Sequence, residues 1–163
     1  MPSIFPDVSI NPTTAGNIIQ ILSGLPDFLR KPMLRRRLSE FYTLDHADRC
    51  ETIAMALQAA PSIESGKLSI LVRTWLEVLA EMDREKRTIM FGIYCEELLK
   101  RPNILNGLNI KSLTDTFLSL DPAQREKIVD SLKEAVLAIP KRQKILKLIP
   151  QYSLNALGLD LVG

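Results

Sequence analysis

Apolar residues recur along this chain three or four positions apart, in separate runs. Leu34, Leu38 and Phe41 form one run. Leu68, Leu71, Trp75, Leu79 and Met82 form another, and Leu113 and Phe117 a third. A second set alternates with these: Ile18 and Leu22, then Ile53 and Leu57, then Met90, Tyr94 and Leu98, then Ile128, Leu132 and Val136. This is the spacing of helices that bury one face. Strict apolar–polar alternation is absent, so no strand is predicted. The second set of runs stops near Pro26, Pro61, Pro102 and Pro140, where the missing N–H and fixed φ end a helix. The pattern predicts an all-α chain of about seven or eight helices.

The helices are joined by an echo. "LDHADR" at Leu44–Arg49, "MDREKR" at Met82–Arg87 and "LDPAQR" at Leu120–Arg125 place Asp45, Asp83 and Asp121 at intervals of 38 and 38 residues. Arg49, Arg87 and Arg125 each follow their Asp by four. Phe41, Leu79 and Phe117 precede it by four, and Ile53, Phe91 and Val129 follow by eight. "SINP" at Ser9–Pro12 extends the series backwards, with Asn11 in the Asp place, and "LGLD" at Leu157–Asp160 extends it forwards. A constant period in this range predicts a repeat architecture. The physics of the unit is local. Asp or Asn accepts from unpaired N–H groups at a helix start, and Pro suits the first helical position. Asn11, Asp45, Asp83 and Asp121 are therefore expected as structural caps. Arg49, Arg87 and Arg125 are expected as structural turn arginines that reach the turn or the carbonyls of the neighbouring hairpin.

Residues 1–163 are accordingly read as a single domain of stacked αα-hairpins with a period of about 38 residues, a short right-handed solenoid. An ordinary eight-helix bundle is the competing arrangement. The Asp–Arg pair near each inferred turn resembles that of HEAT and armadillo-like repeats, which also use a Pro near the first helix, although the usual Asp-to-Arg interval there is longer. "LDPAQREKIVDSL" at residues 120–132 is also similar to short helical units of magnesium-transporter and flagellar-switch domains, over that segment alone. The first resemblance implies an extended concave binding face.

Composition changes this picture little. With 46% hydrophobic and 25% charged residues the chain is globular rather than disordered. Cys50 and Cys95 make no CxxC, which leaves two reduced thiols and a cytoplasmic expectation. No basic leader followed by an apolar run and no long apolar span is present, so no membrane role is expected. The net charge of +2 is zoned. Arg30, Lys31, Arg35, Arg36 and Arg37 outweigh Asp27 and Glu40. Lys141, Arg142, Lys144 and Lys147 outweigh Asp160.

Candidate chemistry is sparse. His46 stands four residues before Cys50 on one helical face, the spacing of a Cys–His dyad, but no third residue that would orient the histidine is apparent. One His and two separated Cys do not make a zinc set. Glu96 and Glu97 are adjacent and diverge on a helix. No phosphate-binding loop or hydrolase motif occurs, so neither a catalytic residue nor a cofactor is expected. The function that follows is a non-enzymatic protein-binding or scaffold module. The rival is a nucleic-acid-backbone binder using Arg35, Arg36, Arg37, Lys141, Arg142, Lys144 and Lys147. The apolar segment from Ile145 onward also suits pairing with a second copy of the chain.

Overall fold

The computed structural model describes residues 12–161; Asn11 lies outside them. The chain is all-helical, with no strand among the described residues. The helices are α1 (Pro12–Ser23), α2 (Asp27–Phe41), α3 (His46–Ala59), α4 (Ser65–Glu81), α5 (Arg84–Lys100), α6 (Ile110–Leu118), α7 (Pro122–Leu137), α8 (Arg142–Leu148) and α9 (Gln151–Leu157). Short 3-10 turns at Ala60–Ser62, Pro102–Gly107 and Leu159–Leu161 complete the described chain.

Helix starts follow side-chain chemistry. Asp45 accepts from the Asp48 N–H and Asp83 from the Lys86 N–H, both at 2.9 Å. At Asp121 the backbone N–H donates to Gln124 Oε1 at 3.3 Å, within a capping box. Glu64 and Asn109 perform the same service for α4 and α6. The end of α9 requires Gly158, whose φ of 69° lies in the left-handed region that a Cβ disfavours.

From α1 to α7, helices pack on second neighbours, and α9 takes the place beyond α6. In one layer α1 lies against α3, α3 against α5 and α5 against α7; in the other α2 lies against α4, α4 against α6 and α6 against α9. Between the layers runs one core that includes Leu22, Leu34, Phe41, Ile53, Leu79, Met90, Phe91 and Phe117. Trp75 meets Phe91 edge-on, with 6.0 Å between ring centroids. In the first turns of α7 it is Ile128 that is buried, and Val129 is only part-buried. Seven and eight residues both complete about two helical turns, so either position can face the core.

The C-terminal segment divides at Pro150 into two short helices. Ile145, Leu146 and Leu159 join Cys95 and Val136 in a second apolar cluster. Much of the apolar content expected at a chain-to-chain contact is therefore used within the chain. Leu157 bridges both clusters.

Among the described residues no helix is long and apolar enough to cross a membrane.

Candidate functional site

Each arginine that stands four residues after a helix start reaches back over the turn it follows. Arg49 donates to the carbonyls of Phe41 and Tyr42, at 3.4 and 2.7 Å. Arg87 donates to Met82 O and to Ser131 Oγ, the latter at 2.9 Å. Arg125 donates to Leu118 O at 3.4 Å. The last carbonyls of a helix have no intrahelical partner, and a cation there also meets the negative end of the helix dipole. Arg30, placed four after the Pro26 cap, makes the same clasp, donating to Leu22 O at 3.2 Å and also to Leu25 O and Asp27. It lacks the Asp of the other three, so the sequence pattern grouped it with the basic zone.

The two basic zones differ in their surroundings. Arg35 makes a two-pronged contact with Glu81, at 2.9 and 3.0 Å, and Lys31 joins it at 3.1 Å. Arg36 and Arg37 both meet Glu40. The first zone is thus largely matched by carboxylates. Lys141, Lys144 and Lys147 are exposed and carry no ion pair among the described residues. Arg142 Nε is buried without a hydrogen-bond partner.

His46, Cys50 and Glu96 meet between α3 and α5. His46 Nε2 lies 3.2 Å from Glu96 Oε2, and Cys50 Sγ lies 3.4 Å from His46 Nε2 and 3.6 Å from Glu96 Oε2. Burial, then the Glu96 carboxylate, pushes the Cys50 thiol above its ordinary value. The thiol and the carboxylate face the same ring nitrogen. A nucleophilic relay needs them on opposite nitrogens and needs a thiolate, so this arrangement does not activate Cys50. Glu97 turns inward, is 2% exposed, and pairs with Lys100 and Arg101.

The sequence pattern missed Glu96 because it comes from the next helix but one. The signal that locates it is a recurring register. Residues 46 apart touch at Arg35–Glu81, Cys50–Glu96, Arg73–Ser119, Arg84–Asp130 and Thr88–Glu134. The place of His46, Cys50 and Glu96 is taken 38 residues on by Arg84, Thr88 and Glu134, where Arg84 Nε lies 2.9 Å from the carboxylate.

An apolar cavity of about 320 Å³ lies between the layers, with Leu34, Leu71, Trp75, Phe91 and Tyr94 among its walls. A smaller one of about 110 Å³ adjoins it and shares Ile19, Leu22, Leu34, Ala56, Trp75 and Tyr94. Burial pushes the Tyr94 hydroxyl up to about 12, so it stays protonated.

Comparison with protein-family models, with curated proteins and with solved structures finds no match for this chain.

Proposed function

We propose that this protein is a non-enzymatic binding or scaffold module, built from helical hairpins that repeat about every 38 residues in a short right-handed solenoid, and that it docks a protein partner. The observation that carries this reading is the second-neighbour packing in two layers. The contacts between residues 46 apart recur at the same places in successive hairpins, as a stacked repeat requires. Such a stack presents a broad, rigid face made of successive helices. The relation to function is one of architecture, not of site chemistry.

The turn between α1 and α2 carries apolar groups suited to docking. Phe28 is 74% exposed, and Ile21 and Leu29 flank the same turn and are also exposed. A projecting aromatic with aliphatic neighbours is the composition of an interface anchor. The reading is tested by affinity capture with the chain and with Phe28→Glu, in low salt and in about 0.5 M salt, where exposed charge contacts are screened. A defined protein that is retained in high salt and lost with Phe28→Glu supports it. Nucleic acid captured in its place and released by salt would replace it with the phosphate-binding reading.

A further inference from the structure

We propose that His46, Cys50 and Glu96 form a binding site for a zinc-class divalent cation, with three protein ligands and a fourth position open to solvent or to an incoming ligand. The site would join α3 to α5 and stands apart from the protein-docking reading, since it rests on geometry alone. The donor atoms form a triangle with edges of 3.2, 3.4 and 3.6 Å. Zinc binds nitrogen and oxygen at about 2.0–2.2 Å and sulfur at about 2.3 Å in a tetrahedron, which sets its ligand atoms about 3.3–3.6 Å apart. An ion seated over this triangle therefore asks for little movement.

The donor set defines the class of ion. Imidazole nitrogen with thiolate sulfur selects zinc and its neighbours, while magnesium and calcium require oxygen donors. All three ligands sit on helices rather than loops, so the spacing is held by the packing of α3 on α5. Binding forms three bonds to the ion in place of bonds to its own waters, which leave to solvent together with the Cys50 thiol proton.

The next hairpin supplies the contrast. There Arg84 places a permanent positive charge against Glu134 and Thr88 a hydroxyl. At the His46 site no arginine stands in the corresponding place, and Lys100, paired with Glu97, acts on Cys50 only electrostatically; the two residues that replace Arg and Thr are the chain's one histidine and one of its two cysteines. A divalent cation would supply the charge that Arg84 supplies one hairpin along.

The test is a Co²⁺ titration of the full chain under a non-thiol reductant, read by the thiolate-to-cobalt absorption band and followed by Zn²⁺ displacement. The expected result is a band that saturates at one equivalent and is abolished by Zn²⁺. Cys50→Ser removes it, His46→Ala and Glu96→Gln each weaken binding at least about tenfold, and Cys95→Ala leaves it intact. The double variant His46→Arg, Cys50→Thr copies the Arg84–Thr88 pair. It should fold, lose the band and lose the rise in Tm that Zn²⁺ gives the parent chain. No cobalt band in the parent chain, or a band that survives in Cys50→Ser, overturns the proposal.

Discussion

Ser153 donates a buried hydrogen bond to Thr114. The two hydroxyl oxygens are 2.7 Å apart across the α6–α9 contact. Thr114 spends its own proton on the Ile110 carbonyl at 2.8 Å, so Ser153 must be the donor. Thr114 is 6% and Ser153 3% exposed, and neither has water to fall back on. Thr114→Val strands the Ser153 hydroxyl and should cost about 1–3 kcal/mol; Ser153→Ala should cost about 1. The double variant should cost less than the sum. Urea denaturation of the three variants measures this, and strict additivity would mean the bond contributes nothing.

The arginine clasps should differ in strength with burial. Arg87 is 6% exposed and holds both a carbonyl and Ser131. Arg125 is less buried and has one long contact. Arg87→Ala should cost about 2–3 kcal/mol, as lost hydrogen bonds to a charged group do, and Arg125→Ala less than about 1. Equal losses in denaturation would remove the distinction.

Acid should weaken the α2–α4 contact. The Arg35 guanidinium, with help from Lys31, holds the Glu81 carboxyl below its ordinary 4.5 against a smaller opposing effect of burial. A lowered folded pKa contributes stability that is present above 4.5 and lost as pH falls through the lowered value. Glu81 is substantially exposed, so the effect is screened and should shrink with salt. Melting curves of the parent chain and Glu81→Gln should converge at low pH. A gap that is independent of pH would assign the pair no role in acid stability.

Phosphate binding, if the chain has it, should rest on the second basic zone. Glu81 and Glu40 already occupy the first. Replacing Lys141, Lys144 and Lys147 by Ala should flatten the salt dependence of duplex binding by about two to three units, and the arginine zone should matter less. Absence of any duplex binding at about 50 mM salt, the favourable end of the range, would close the nucleic-acid reading.

Filling the interlayer cavity should stabilise the fold. Ala56 borders both lobes, and Ala56→Leu adds apolar volume where about 320 Å³ lacks packing atoms. A rise in Tm of a few degrees is expected from calorimetry. A fall would show that the walls cannot accept the added methyl groups.

Helix starts, helix stops and the buried faces were legible in the sequence because each depends on residues a few positions apart. Asp83 meets its N–H partner three residues on, and Phe41, Leu79 and Phe117 are all buried by the spacing that marked them. The Asp–Arg columns pointed to a turn and to arginines held at it, but not to which carbonyls each arginine clasps. Which residues meet across helices was decided only by tertiary structure. Glu96 reaches His46, and Glu81 reaches Arg35, because α3 packs on α5 and α2 on α4 in one particular register. A shift of one helical turn would leave every local signal unchanged and separate both pairs. Pro150 breaks the C-terminal segment locally, while the docking of the following seven-residue α9 on α6 depends on the groove that α6 offers. Local signals act through backbone hydrogen bonds and short-range sterics, but the candidate site arises from how two helix surfaces interlock, which no single stretch of sequence contains.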